Sequence, residues 1–279
     1  MKSNHLPKTA LITGASSGIG MELVRQLTCH KDLKDLRIIA TARRLDRLEK
    51  LASEFPDGKV IPFAADLASP DDRERLWNFA LQNFSQLDLI INNAGFGTYC
   101  RFEESNFAVI QKIFQVDVEA VFDLTAKSIA WMKLNGSGQI VQISSILGEV
   151  GLPYSATYTA AKHAINGLVK SLRPELAGTG VSVWAACPGR TVSEFRETAG
   201  EGRTSVRGKH AESTEAVVAG IVRGIVRGHS RPLLYPTWRP WLVAHAAWAC
   251  PRLWDQIMIR YGRKFAAEDM PEVSITQTK

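Results

Sequence analysis

The 279-residue sequence has few cysteines, no hydrophobic run of membrane-spanning length and no continuous basic stripe. Its four cysteines, Cys29, Cys100, Cys187 and Cys250, lie far apart, so no metal-binding or redox cysteine pair is present and we expect no metal site. The longest apolar stretch, 241–250, is too short to cross a bilayer. No apolar segment typical of a signal peptide precedes the first strand. These absences favour a globular protein of a reducing compartment, and we expect it to be cytoplasmic.

The chain carries a net charge of +6 at pH 7 and has a pI of about 9.2. This charge is compatible with an anionic partner such as nucleic acid, a phosphorylated cofactor or a lipid surface. A nucleic-acid partner would require a basic stripe or a known recognition motif, and the sequence has neither. We therefore expect no binding of nucleic acid.

Apolar strand-like segments alternate with amphipathic segments over most of the chain. The pattern predicts strands at 9–13, 37–41, 60–64, 87–91, 139–143 and 181–186, and a short one near 232–235. It predicts helices at 19–27, 46–55, 70–83, 106–133, 156–176 and 214–227. Because the strands are continuously apolar, they are typical of a parallel sheet covered on both faces. The sequence predicts an α/β fold, a doubly wound Rossmann-type sheet flanked by helices.

A glycine-rich turn, TGASSGIG at residues 13–20, follows the first predicted strand. Glycine allows the backbone to turn tightly and to approach a ligand closely, and a helix N-terminus offers free amides to a pyrophosphate. The alternative is a plain strand-to-helix turn. The candidate phosphate-binding residues are Gly14, Ser16, Ser17, Gly18, Ile19 and Gly20.

Two arginines, Arg43 and Arg44, follow the second predicted strand directly. NAD-binding folds usually have an acidic residue there, which holds the ribose 2′-hydroxyl. Guanidinium groups instead suit a 2′-phosphate. The position of these arginines predicts that the cofactor is NADP(H). The alternative is that both arginines are solvated residues at the start of the next helix.

Tyr158 and Lys162 are four residues apart in a predicted helix, so their side chains share one face. A nearby cation stabilises phenolate and lowers the pKa of a tyrosine. The pair could therefore exchange a proton with an alcohol or ketone. Ser145 follows the fifth predicted strand, where ligands bind in such sheets, and could hydrogen-bond a substrate oxygen.

These segments, in this order and at these spacings, resemble the classical short-chain dehydrogenase/reductase family. The matching pieces lie within residues 8–195, and they are the glycine turn, Asp66 with Leu67, residues 92–95 (NNAG), Ser145, Tyr158 with Lys162, and residues 187–189 (CPG). The resemblance implies that Tyr158 exchanges the proton, Lys162 lowers its pKa and holds the nicotinamide ribose, and Ser145 polarises the carbonyl.

The resemblance also implies the remaining cofactor contacts. Asp66, with Leu67, would bind the adenine. Asn93, Ala94 and Gly95 would pack beside the adenosine ribose, and Val116 would join the cofactor site. Pro188 and Gly189 would line the nicotinamide, and Thr191 or Ser193 would place a hydroxyl near its carboxamide.

Two residues depart from the family pattern. Where the family has asparagine after valine, this chain has Asp117 after Val116. Asp117 is interpreted either as part of a modified catalytic proton relay or as a solvated or locally paired side chain. Arg190, directly after Gly189, is expected either to meet an anionic group of substrate or cofactor or to face solvent.

Residues 238–264 contain four of the seven tryptophans, five basic residues and a single acid, Asp255. They could pack on the core, line a substrate pocket, form a subunit contact or touch a membrane surface. We expect residues 1–237 to form the dinucleotide-binding and catalytic domain. Residues 238–279 are expected to form a C-terminal helical extension packed on it, with a polar tail. Residues 190–213 are interpreted as a mobile loop of the length of a functional lid.

The sequence thus predicts an NADP(H)-dependent oxidoreductase that reduces a ketone or aldehyde, or oxidises the alcohol in reverse. Its small-molecule substrate is expected to be fairly apolar. The family commonly assembles through the two long helices, which implies a homodimer or homotetramer. The alternative is an NADP(H)-binding redox sensor or scaffold without turnover.

Overall fold

The computed structural model describes residues 6–191 and 211–267, with side chains described up to residue 264. The strands are β1 (Thr9–Thr13), β2 (Arg37–Ala42), β3 (Val60–Ala64), β4 (Leu89–Asn92), β5 (Gly138–Ile143), β6 (Val181–Ala186) and β7 (Leu233–Leu234). The helices are α1 (Gly18–Thr28), α2 (Leu45–Ala52), α3 (Pro70–Asn83), α4 (Phe107–Phe114), α5 (Ala120–Leu134), α6 (Ala156–Glu175), α7 (Thr214–Arg227), α8 (Trp238–Ala249) and α9 (Pro251–Ala267).

All seven strands form one parallel sheet in the order β3-β2-β1-β4-β5-β6-β7. The strand order reverses between β1 and β4, and ligands bind at such reversal points, beyond the carboxyl ends of the strands. The predicted doubly wound fold is confirmed.

Helices cover both faces of the sheet, which explains the uninterrupted apolar character of the strands. On one face, the fully buried Ile12 of β1 belongs to a layer with Leu23 of α1 and Ile221 of α7. On the other face, the adjacent Leu11 belongs to a layer with Leu76 of α3 and Leu124 of α5. Alternate residues of one strand therefore fill two separate cores.

The helix predicted over 106–133 is divided by a π-helical turn, Gln115–Glu119, which joins α4 to α5. The turn contains Asp117, whose side chain is fully buried. Such turns occur frequently at functional sites, and here the extra residue coincides with the departure from the family sequence.

The C-terminal extension forms two helices, α8 and α9, joined at Cys250. Within the described residues, no helix is both long enough and apolar enough to cross a membrane. Most of the predicted loop, residues 192–210 including Ser193, lies outside the described residues.

Candidate active site

A cavity of about 530 Å³ opens at the carboxyl ends of the strands, where the sheet order reverses. All predicted nucleotide-binding residues that the structure describes line it, with the exception of Gly20. Gly20 packs beneath the glycine turn, against Gly14 and Asn93. The fold thus brings predicted nucleotide-binding residues that lie between positions 14 and 191 of the sequence together around one cavity.

The glycine turn needs its glycines for two different reasons. Gly14 and Gly18 have φ values of +67° and +54°, in the region that favours glycine. A Cβ at Gly14 would also lie only 2.7 Å from the Cα of Ala94. The side-chain amide of Asn93 donates to the carbonyl oxygens of Thr13 (2.9 Å) and Gly14 (3.2 Å). This contact holds the turn against the end of β4.

The helix that follows presents its first amides to the cavity. Ser17, at its start, makes no capping hydrogen bond with its side chain, and the first turn contains no acidic residue. Instead, Arg44 Nη2 donates to Ser16 Oγ and Ser17 Oγ, both at 3.2 Å. Arg43 is exposed on the cavity wall. Amides and two guanidinium groups therefore face one region, which fits the phosphates of a dinucleotide.

Two residues of α3 that the sequence analysis did not select hold the predicted adenine loop. Asp72 Oδ2 accepts from the amide of Asp66 at 2.8 Å, and this bond lowers the pKa of Asp72. Arg73 Nη1 donates to the carbonyl of Leu67 at 2.8 Å, while Arg73 Nε lies 3.0 Å from Asp123 Oδ2. The helix-start sequence 69–72 (SPDD) is the one signal that could have drawn attention to Asp72.

Ser145, Tyr158 and Lys162 lie together at the other end of the cavity. Lys162 Nζ lies 5.3 Å from the centre of the Tyr158 ring, and Ser145 hydrogen-bonds the phenol. Ser145 is fixed in turn because its Oγ accepts from the amide of Leu147 at 3.1 Å. Gly97 makes room for the ring, since a Cβ there would lie 2.8 Å from Tyr158.

Asp117 does not line the cavity but lies directly behind Lys162. Its Oδ2 is 3.0 Å from Lys162 Nζ, and its Oδ1 accepts from the amide of Phe96 at 2.9 Å. Lys162 Nζ also donates to the carbonyl of Ile143 at 3.2 Å. The interpretation of Asp117 as a solvated side chain is therefore wrong, whereas its interpretation as a locally paired side chain agrees with the structure, with Lys162 as the partner. Its part in a proton relay stays a prediction.

The ion pair changes the electrostatics expected of the tyrosine. Desolvation raises the pKa of Tyr158, Lys162 lowers it, and the charge of Asp117 raises it again. The net pKa lies above its ordinary value because burial outweighs the effect of Lys162, which lowers the pKa as the sequence predicts. For Lys162, burial lowers the pKa, but the charges of Asp117 and Tyr158 outweigh that effect and keep the ammonium protonated.

The C-terminal helices form part of the cavity wall. Val243 of α8 and Trp254, Met258 and Tyr261 of α9 line it. The hydroxyl of Tyr154, just before α6, donates to the carbonyl of Gly262 at 2.8 Å and ties α9 to the catalytic side. Of the alternatives for this extension, the structure thus supports the pocket wall.

Residues 188–191, directly after β6, also line the cavity. Thr191 Oγ1 donates to the carbonyl of Gly189 at 3.3 Å, and the amide of Glu212 donates to the carbonyl of Arg190 at 2.8 Å. Arg190 lines the cavity. This position favours the interpretation that Arg190 meets an anionic group over the interpretation that it faces solvent.

The chain is similar to known proteins over most of its length. Residues 8–204 match the family model described as short chain dehydrogenase. A D-beta-hydroxybutyrate dehydrogenase of Rhizobium meliloti is 30% identical over 69% of this chain and 74% of its own.

Solved structures of short-chain dehydrogenases and alcohol dehydrogenases also resemble this chain. A short-chain dehydrogenase from Sphingobium yanoikuyae in complex with NADPH is 25% identical, with a TM-score of 0.74 over 97% of this chain and 99% of its own. A bulky-bulky ketone specific alcohol dehydrogenase from Comamonas testosteroni is 25% identical, with a TM-score of 0.70 over 96% of each chain. This chain therefore belongs to the short chain dehydrogenase family and is an NAD(P)-dependent oxidoreductase that acts on CH–OH groups.

Proposed function

We propose that this protein uses NADP(H) to reduce an apolar ketone or aldehyde to the alcohol. The observation that carries the proposal is the arrangement of Ser145, Tyr158 and Lys162 on one wall of the cavity that also contains the glycine turn and two arginines. The proposal assigns the proton donor to one end of the cavity and the binding of anions to the other.

The preference for the phosphorylated nucleotide rests on Arg43 and Arg44. They follow β2, whose carboxyl end borders the adenosine side of such sites. Arg44 is oriented by Ser16 and Ser17, and the exposed Arg43 is available to a phosphate. The NADPH complex of the Sphingobium relative agrees with this assignment.

When bound, NADPH would supply the hydride for reduction of the carbonyl carbon. The phenol of Tyr158 donates its proton to the carbonyl oxygen as charge develops there, and the hydroxyl of Ser145 donates a hydrogen bond to the same oxygen. Lys162 holds positive charge beside the phenol and stabilises the phenolate left behind. A high tyrosine pKa keeps the phenol protonated at neutral pH, which suits carbonyl reduction.

The substrate end of the cavity is apolar. Val243, Trp254 and Met258 of the C-terminal helices line it together with Leu147 and Val150. Apolar walls with a few polar groups are typical of sites for small organic ligands. The similarity to an alcohol dehydrogenase specific for bulky ketones supports a ketone with large apolar substituents.

The proposal is tested in two steps. NADPH and NADH are first titrated by nicotinamide fluorescence, and then a panel of apolar ketones and aldehydes is assayed with the tighter nucleotide. We expect tighter binding of NADPH, turnover of bulky ketones, and a loss of kcat of about 10²–10⁴-fold in Tyr158→Phe. Tyr235→Phe, which alters a tyrosine outside the cavity wall, serves as the matched control.

Each contrary result has a distinct meaning. Failure to bind either nucleotide would overturn the cofactor site. Binding of NADPH without turnover of any carbonyl compound would favour the redox-sensor or scaffold alternative. Full activity in Tyr158→Phe would refute the assigned proton donor.

A further inference from the structure

The outward side of α8 is an apolar aromatic stripe. Trp238, Trp241, His245 and Trp248 recur at intervals of three or four residues, and Leu242 lies beside them on the same face of the helix. Trp238 is 66% exposed and Trp248 is 85% exposed. Large aromatic side chains on a helix normally face a core, and here they face away from it.

The outward side of α9 combines apolar and basic residues. Leu253 and Ile259 are exposed there, beside Arg252, Arg260 and Arg263. From residue 238 to residue 264 the sequence has five basic residues and one acid. We refer to the exposed residues of 238–264 on both helices as the outer face.

The cavity does not account for the outer face. The residues by which these helices line the cavity, Val243 on α8 and Trp254, Met258 and Tyr261 on α9, lie on the opposite side of each helix. Within the described residues, α8 is therefore apolar on both its inner and its outer side. A helix of this kind requires cover on both sides or contact with lipid.

We propose that the outer face docks this protein on an anionic lipid surface. Tryptophan suits the boundary between acyl chains and headgroups, and arginine binds phosphate through paired hydrogen bonds. Helices that lie in the interface carry an apolar face and basic residues, as this pair does. The proposed contact therefore lies at the surface of the bilayer, with both helices in the plane of the interface.

Charge argues against a second copy of the chain as the occupant. A two-fold symmetric contact places the same surface of both chains against each other. A basic surface would then face another basic surface, with Asp255 as the single acid of residues 238–264 to offset the arginines. An anionic bilayer instead presents opposite charge over the whole surface.

The test is co-sedimentation of the full chain with vesicles of phosphatidylcholine alone and of phosphatidylcholine mixed with phosphatidylglycerol. We expect the protein to bind the mixed vesicles and to be released from them at high salt. Arg252→Gln/Arg260→Gln/Arg263→Gln should lower the partition coefficient by roughly 100-fold, since each cation near such a surface contributes roughly fivefold. The control Lys31→Gln/Lys34→Gln/Lys50→Gln removes three positive charges outside the outer face. It should keep most of the binding to the mixed vesicles.

The aromatic stripe is tested separately. Trp248→Ser should lower binding severalfold, whereas Leu134→Ser should not, although Leu134 is similarly exposed (87%) at the end of α5. Equal binding of wild type to both vesicle types, or no binding to either, would overturn the proposal. The proposal would also be overturned if Trp238→Ser/Trp248→Ser formed a smaller oligomer than wild type in sedimentation velocity. That result would show that a second copy of the chain covers the stripe. These readouts are independent of catalysis.

Discussion

The carboxylate of Asp117 and the ammonium of Lys162 form a buried ion pair with a separation of 3.0 Å, directly behind the tyrosine of the proposed active site. Lys162 stands close enough to Tyr158 to stabilise phenolate, but Asp117 opposes part of that effect. The pair therefore sets the charge that the phenol experiences.

Removal of that carboxylate should shift the pH dependence of alcohol oxidation, which requires phenolate. Because the charge of Asp117 raises the pKa of Tyr158, Asp117→Asn should lower it. The rise of kcat/KM with pH should then occur at lower pH than in wild type. The measurement is a pH–rate profile for the alcohol, with the exposed Asp35→Asn as control. A shift to higher pH would contradict this assignment.

The two arginines after β2 should have separable effects on nucleotide binding. Arg43→Ala should weaken NADPH by about 10–100-fold, as expected for charge-assisted hydrogen bonds, and leave NADH nearly unchanged. Arg44→Ala should weaken both nucleotides, because Arg44 also holds Ser16 and Ser17. Fluorescence titration of both variants, with Arg47→Ala one turn further on as control, checks this. Equal loss of both nucleotides in Arg43→Ala would exclude a contact to the 2′-phosphate.

Arg73 should matter for stability as well as for binding. Its side chain is 9% exposed and joins Asp123 to the carbonyl of Leu67. Arg73→Leu removes this pair and leaves the carbonyl of Leu67 without its donor, while Asp123 keeps Lys127 at 3.2 Å. The substitution should lower the free energy of unfolding by about 1–3 kcal/mol. Arg73→Leu/Asp123→Leu should recover part of the loss, as measured by denaturant unfolding. A double variant less stable than the single variant would contradict the ion-pair explanation.

Gly95 should be intolerant of a side chain because of Asp117. A Cβ there would lie 2.6 Å from Asp117 Oδ2, with no room to move inside the core. Gly95→Ala should cost about 1–3 kcal/mol of stability. Gly167→Ala on α6, where a Cβ meets nothing within 4 Å, should instead be neutral or stabilising. Thermal unfolding of both variants separates this local crowding from a general effect of replacing glycine.

Much of the fold was predictable from local sequence. The bounds of β1, β3, β6, α3 and α7 agree with the hydrophobic pattern, because each is a short apolar run or a helix with clear start signals. Ser69, Pro70 and Asp71 start α3, for example. The interruption of the long helix at 115–119 was not predicted, since π-helical turns are rare and appear as single turns inside α-helices.

The residues of the candidate site that belong to sequence motifs were predictable. Those whose role depends on packing in the folded core were not. The glycine turn and the Tyr158–Lys162 spacing are visible in the sequence. The pairing of Asp117 with Lys162 is not, because the two residues lie on different elements and meet only in the folded core. The same holds for Arg73, whose role depends on the loop after β3.

The cavity takes its walls from residues between Gly14 and Tyr261, and so from nearly the whole described chain. The turn after β1 needs β4 beside it, and the catalytic end needs β5, α6 and α9. Each end of the cavity therefore requires segments that lie far apart in the sequence, so nucleotide binds the folded chain and not the unfolded one. By mass action it raises the stability of that fold alone, so the lifetime of each molecule in its host should follow the supply of the nucleotide it uses.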